Sequence, residues 1–271
     1  MKTIAIVNRK GGVGKTATAQ ALGAGLSRRG FKVLYIDLDS QTNLTYSLQA
    51  NADGISSYEV LTGTATAPAA IQHTPQGDII PGAETLAGAD AVITSVGKEY
   101  RLRKALDSIK TKYDYVIVDT PAALGTLTVN ALTAADSAII PVQADAYSLQ
   151  GLSQLCAVID AVREYCNHNL SINGILLTRY NGRAILSKDI QASLQEIARQ
   201  LETRLYCTPI RECISIKEAQ AQRQDIFAYA PRSNAASDYN AFVNDFLEKD
   251  VGRNGTKTKI FKCGGVVLQL H

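Results

Sequence analysis

Apolar residues in this chain gather in short runs, separated by longer stretches with helical spacing. Lys2–Asn8 is an apolar run of strand length, followed by a glycine-rich turn and a helix-like stretch from about Lys15 to Arg29. Gly30 closes that helix, and Lys32–Asp37 is the next apolar run, so the opening segment spells strand, helix, strand. A crossover of that kind joins parallel strands. Further runs at Asp114–Asp119, Ser137–Val142, Ile172–Thr178 and Arg204–Cys207 alternate with helical stretches near 98–111, 147–166, 183–201 and 236–248. This alternation predicts an α/β fold of three layers, a mostly parallel central sheet flanked by helices. No linker or fixed-period repeat interrupts residues 1–251, which are expected to form a single domain. Residues 252–271, punctuated by Gly252, Gly255, Gly264 and Gly265, lack a clear period and are expected to be a flexible basic extension.

Composition sharpens the picture in three ways. With 46% apolar residues but only 6% aromatic and no Trp, the chain suits helices packed on a buried parallel sheet better than a β-sandwich. No apolar stretch is long enough to span a bilayer, and the N-terminal run is too short for a signal peptide core. Five cysteines without a C-x-x-C pair read as thiols of a reducing compartment, so a cytoplasmic location is expected. The net charge of +3 is concentrated at the end: Arg253, Lys257, Lys259 and Lys262 stand in the tail without an acid, leaving residues 1–251 nearly neutral. Any attraction to nucleic acid must then come from local basic patches or from that tail.

The segment Arg9-Lys10-Gly11-Gly12-Val13-Gly14-Lys15-Thr16-Ala17 lies where a strand ends and a helix begins. Glycines there let backbone N–H groups converge on phosphate oxygens. The helix N-terminus adds partial positive charge, Lys15 adds a full one, and the Thr16 hydroxyl is placed to ligate Mg²⁺. The usual G-x-x-x-x-G-K-[ST] pattern would have Gly at position 9, where this chain has Arg9, and Lys10 is an additional lysine.

Two strand ends add carboxylates. Val33–Asp37 leads into Leu38-Asp39-Ser40-Gln41, so Asp37 and Asp39 share one side at the C-terminal edge of a strand, where α/β sheets bind ligands. One of the pair can hold Mg²⁺ through water while the other orients an attacking water. Tyr113–Asp119 is an apolar strand ending in a carboxylate and a Pro/Gly turn, the position of a water-mediated Mg²⁺ partner of a phosphate loop.

As a block, K-G-G-V-G-K-T resembles the deviant Walker A motif of the ParA/MinD class of partition and positioning ATPases, which have the P-loop NTPase fold. The resemblance implies ATP and Mg²⁺ as cofactors, with Lys10 to Ala17 around the phosphates. It implies that Lys10 reaches the partner's ATP across a homodimer. Asp37-Leu-Asp39-Ser40-Gln41 resembles the family's D-x-D-P-Q, with Ser40 replacing Pro; on that match Asp39 positions water and Asp37 is a magnesium-shell group. The turn after Asp119, where Ala122 and Ala123 depart from the family's pattern, resembles its γ-phosphate-sensing switch. Ala230-Pro-Arg-Ser-Asn-Ala-Ala-Ser-Asp-Tyr239 is similar to the family's terminal block, and Thr208-Pro209 resembles the segment bordering adenine.

The likeness covers about residues 1–248 and is nearest to the short, Soj-type ParA proteins. The phosphate loop starts at Lys10, so no preceding helical DNA-binding domain and no operator-specific binding are expected. Soj-type resemblance implies a slow ATPase switch whose ATP dimer binds nonspecific double-stranded DNA, placing it on the nucleoid in the ATP state. It also implies stimulation by a ParB/Spo0J-like partner and no membrane partner. Arg183 matches one family DNA-contacting arginine; a second falls at Ser215, leaving Lys188, Arg211 and Lys217 as candidate replacements. A MinD-like membrane-positioning ATPase would need a C-terminal amphipathic helix, which Gly264-Gly265 interrupts. A metabolic or redox enzyme on the same scaffold is the other alternative. An iron-protein reductase would need cysteines near Asp119–Gly125, where there are none, and the terminal block argues against a biotin-pathway ligase.

Overall fold

The computed structural model of the protein describes residues 1–182, 185–253, 261–263 and 266–268; for 146–150, 185–189 and everything from 249 onward it describes the backbone alone. Strands β1 (Lys2–Ile6), β2 (Val33–Asp37), β3 (Gln72–Thr74), β4 (Gly77–Ile80), β5 (Tyr115–Asp119), β6 (Ser137–Gln143) and β7 (Ser171–Thr178) form one seven-stranded sheet in the order β3-β4-β2-β5-β1-β6-β7. Every neighbouring pair is parallel except β3 with β4 at one edge. The expected mostly parallel α/β sheet is therefore present.

Helices α1 (Lys15–Ser27), α2 (Asn43–Ser47), α3 (Ser57–Thr62), α4 (Ala67–Ala70) and α5 (Ala89–Val92) precede α6 (Arg101–Asp107). They are followed by α7 (Thr126–Ala134), α8 (Ala146–Tyr165), α9 (Ile185–Gln200), α10 (Ile214–Ala221), α11 (Ile226–Tyr229) and α12 (Asn234–Arg253). Both faces of the sheet are covered. On β1, Ile4 and Ile6 join a core with α1, α10, α11 and α12, whereas Ala5 and, just past the strand, Val7 join a second core with α3, α6, α7, α8 and α9. Successive residues of a strand point to opposite faces, so a strand buried on both sides is apolar throughout, which is why the runs were legible.

Helix α1 lies unusually close to its neighbours. A Cβ on Gly23 would come within 2.3 Å of the Tyr35 ring, and one on Gly25 within 2.7 Å of Val243 in α12. Glycine inside a helix costs about 0.5–1 kcal/mol relative to Ala; here it admits a buried tyrosine whose hydroxyl donates to the Gln20 carbonyl at 3.2 Å.

Several elements differ from the sequence expectation. Arg204–Cys207 is not a strand of the sheet: only an isolated bridge joins Leu205 to Ile175. The stretch 98–111 is a 3-10 turn, Lys98–Tyr100, continued by the short α6. β3 and β4, α7 and α10 were not anticipated; β3 is polar and β4 contributes only Ile79 and Ile80 to the core, so neither makes a visible apolar run. Helix α12 reaches Arg253, past the boundary at 251, and Phe261–Cys263 (β8) pairs antiparallel with Val266–Leu268 (β9).

Candidate functional site

The ends of β1, β2 and β5 bring the sequence motifs together. In register, Asp119 is opposite Ile6 on one side and Asp37 on the other. The loop from Asn8 to Gly14 leaves β1 there and turns into α1 through Gly12 and Gly14, both at positive φ (+73° and +85°). A side chain would strain the backbone at those two positions. The loop is held from three directions: Asn8 Nδ2 donates to the Pro141 carbonyl at 2.6 Å, Lys10 N donates to Asn8 Oδ1 at 2.9 Å, and Thr178 Oγ1 donates to the Val13 carbonyl at 2.8 Å.

Lys15 is buried, its Nζ 3.3 Å from the Lys10 carbonyl. Burial lowers its pKa, opposed by the charges of Asp119 and Asp39. Thr16 Oγ1 donates to Asp119 Oδ2 at 2.6 Å. Asp119 is fully buried and its carboxyl is pushed up to about 8, chiefly by burial and next by the neighbouring Asp37. Its other oxygen, Oδ1, is buried with no hydrogen-bond partner. An orphaned carboxylate oxygen beside a threonine hydroxyl fits a hard divalent cation, which takes oxygen ligands.

Asp37 and Asp39 have different surroundings despite their shared motif. Asp37 is fully buried and accepts from Asp39 N at 3.0 Å, Thr45 N at 2.9 Å and Thr45 Oγ1 at 2.7 Å. Burial pushes its carboxyl up to about 6 against those hydrogen bonds. Gly82 packs against it, where a Cβ would be 3.0 Å from Asp37 Cγ. Asp39 instead lines the open cavity and accepts from Gln41 N at 3.0 Å. Asp39 thus faces the cavity, whereas Asp37 does not line it and braces the turn behind.

The cavity measures about 610 Å³, within the range of small-molecule sites. It is lined by Gly11, Gly12, Gly14, Lys15, Thr16 and Ala17 of the loop, by Asp39, Gln41, Tyr46 and Ala122, and by Thr178, Arg179, Ile210 to Cys213 and Tyr239. Val13 of the same loop is fully buried and does not line it. Pro209 does not line it; the adjacent Ile210 does. Arg211 and Lys217, candidates for a DNA face, line this cavity. Arg211 Nη2 pairs with Oδ1 of the buried Asp238 at 2.6 Å. Arg183, and the side chain of Lys188, lie outside the described residues. Lys10 points its Nζ to Asp145, while the neighbouring Arg9 donates to Gln154 of α8.

The family model described as AAA domain matches residues 1–172. The sporulation initiation inhibitor protein Soj of Bacillus subtilis is 39% identical over 94% of this chain and 99% of its own length. The chain belongs to the Soj/ParA family of partitioning ATPases. Among solved structures, this ATPase is similar to cobyrinic acid a,c-diamide synthase of Mycobacterium smegmatis with bound ATP analogue and magnesium. That match has a TM-score of 0.80 and 33% identity, covering 97% of this chain and 100% of the other. It is also similar to a McdA variant from Cyanothece in complex with ATP, with a TM-score of 0.81 and 26% identity over 92% and 96% of the two chains.

Sequence reasoning missed Asn8, Thr45 and Thr178, which support the ATPase site without belonging to its motifs. Thr178 ends β7 at the same sheet edge as the loop, and that register was the available signal. Arg179 and Glu212, paired at 2.9 Å and both lining the cavity, gave none. Among the described residues no helix is long and apolar enough to cross a membrane.

Proposed function

We propose that the protein is an ATP-driven dimerisation switch that partitions DNA, binding duplex DNA without sequence preference in its ATP state and releasing it after hydrolysis stimulated by a ParB/Spo0J-like protein. ATP lies with its phosphates on Gly11–Ala17, and its magnesium is held by Thr16 and, through water, by Asp119. The cation offsets charge on the phosphate oxygens when bound. Asp39 would orient the attacking water, and the turn after Asp119, which reaches the cavity at Ala122, would sense the γ-phosphate.

The observation that carries this reading is the second loop lysine. Lys15 already occupies the loop interior, buried against the Lys10 carbonyl, whereas Lys10 is at the surface, 31% exposed beside Asp145. A cation there can reach a second subunit once it leaves Asp145. We propose that residues 1–251 are the switch and 252–271 a basic extension, with Arg183 and that extension as the DNA contacts and the nucleoid as the location of the ATP form.

The mycobacterial neighbour is named as a synthase, but the higher identity to Soj over nearly the whole chain favours partition. The deciding experiment is light scattering of Asp39→Ala with magnesium ATP, followed by binding to random-sequence duplex. The expected result is an ATP-dependent dimer that retains DNA; a monomer, or a dimer indifferent to DNA, overturns the reading.

A further inference from the structure

The turn from Thr120 to Gly125 is the segment whose movement would report a γ-phosphate, and something must set its resting position. Its start is fixed by Thr120 Oγ1 on the Ile6 carbonyl at 2.8 Å, and its middle by Thr128 Oγ1 on the Ala123 carbonyl at 2.6 Å. Its end runs into α7, whose N-terminal N–H groups need partners. Gly125, at the cap position, has no side chain to offer.

The partner comes from another part of the chain. Asp90, in α5, accepts from Thr126 N through Oδ1 at 2.8 Å. The fit is close, because a Cβ on Gly125 would lie 2.5 Å from Asp90 Oδ2. Gly125 has φ −92°, a value any residue adopts, so glycine is needed here for space and not for backbone freedom. The hydrogen bonds from Thr126 and the charge of Lys98 hold the Asp90 carboxyl below the usual carboxylate range. The same body is tied to α6, since Asn130 of α7 bonds both the Lys98 carbonyl, at 2.9 Å, and Leu102 N, at 3.1 Å.

We infer that Asp90 is a positioning residue of the ATPase: by capping α7 from outside the switch, it fixes the end of the 120–125 turn so that contact at Ala122 moves the turn and α7 as one unit. Asp90 does not line the cavity, and its bond is to Thr126 N. It acts through Thr126 and Gly125, and the inference rests on the reading of this turn as the phosphate sensor.

The test compares Asp90→Ala, Asp90→Asn and Gly125→Ala. Asn retains an acceptor for Thr126 N, whereas Ala at 125 displaces the carboxylate without removing it. Removing the cap is expected to lower kcat roughly three- to tenfold. Affinity for ADP, which lacks the sensed phosphate, should stay within about twofold, as the loop itself is untouched. Gly125→Ala should reproduce the loss and Asp90→Asn should restore most of kcat. Wild-type kcat in Asp90→Ala, an equal loss of ADP and ATP affinity, or failure of Asn to rescue overturns the inference. If Asp90→Ala does not fold, Gly125→Ala and Asp90→Asn carry the same comparison. A wild-type protein without turnover would overturn the ATPase assignment separately. The cap is then judged by preference for a nonhydrolysable ATP analogue over ADP, which Gly125→Ala should abolish; an unchanged preference overturns it.

Discussion

Thr16 and Asp119, 103 residues apart in sequence, share a hydrogen bond of 2.6 Å that joins the start of α1 to the end of β5. Asp119 Oδ1 is buried without a partner beside that bond, which supports the proposal that this pair holds the magnesium. Asp119→Asn should weaken magnesium-supported ATP binding by about 10–100-fold, the usual effect of disturbing outer-shell ligands, with little effect in EDTA. A magnesium titration of ATP affinity checks this, and a change below about threefold contradicts the assignment.

Protonation of the same site gives a pH signature. Asp119 and Asp37 are pushed up to about 8 and about 6 from 3.8, mainly by burial. A carboxyl raised in the folded state binds more protons folded than unfolded between its two pKa values, so stability falls as pH rises through that interval. For the nucleotide-free protein the melting temperature should decline from about pH 4 to about 8 through these two groups. Asp119→Asn should flatten the upper part of the decline. Equal slopes in the two proteins, measured by scanning calorimetry, would show that Asp119 ionises freely in the fold.

Lys10 and Asp145 form an ion pair within one chain, both side chains partly exposed. If Lys10 serves the neighbouring subunit's nucleotide, this pair must open on dimerisation, and Asp145 competes with the phosphates for the cation. Lys10→Ala should retain ATP binding but lose hydrolysis and ATP-dependent dimerisation. Asp145→Ala should dimerise at least as readily as wild type, because an exposed pair of this kind contributes only about 0–1 kcal/mol to the monomer. Sedimentation with ATP separates these outcomes; normal turnover in Lys10→Ala would remove the trans role.

Much of this was legible in the chain itself because buried parallel strands leave continuous apolar runs and phosphate loops need glycine at fixed places. The Lys10–Thr16 block, Asp39 and Asp119 all converge on one sheet edge, as their positions after strands implied. Asp37 was harder to place: the i, i+2 spacing puts it on the same side as Asp39, yet Thr45 in the following helix and the distant Gly82 enclose it. Arg211 looked like a surface cation because nothing local pairs with it; its partner Asp238 comes from α12. Such pairings depend on long-range packing that periodicity does not encode.

Packing around α1 offers a test of the fold. Gly23→Ala gains about 1 kcal/mol of helix propensity but drives a methyl into the buried Tyr35 ring, and overpacking of this kind typically costs about 1–3 kcal/mol. A lower melting temperature is expected. Gly88→Ala, whose added Cβ meets nothing within 4 Å, should leave it nearly unchanged. Similar melting of both variants would show that α1 does not sit as close to β2 as described.

The two sets of basic residues should separate by assay. Arg211 bonds Asp238 through Nε at 2.9 Å and Nη2 at 2.6 Å at the edge of the nucleotide cavity, so its loss leaves a buried carboxylate without its cation. Arg211→Ala should therefore lower thermal stability and nucleotide affinity, and affect DNA only through reduced occupancy by ATP. Lys217→Ala, on the same cavity wall, should likewise change nucleotide affinity first. Arg183→Ala should do the reverse: unchanged ATP affinity, weaker DNA binding, and a slope of log affinity against log salt reduced by about 0.9 for one lost phosphate contact. Fluorescence anisotropy over a salt series, at saturating ATP, measures both quantities in one experiment. If Arg211→Ala lost the salt slope while Arg183→Ala kept it, the DNA face would lie at the mouth of the nucleotide cavity.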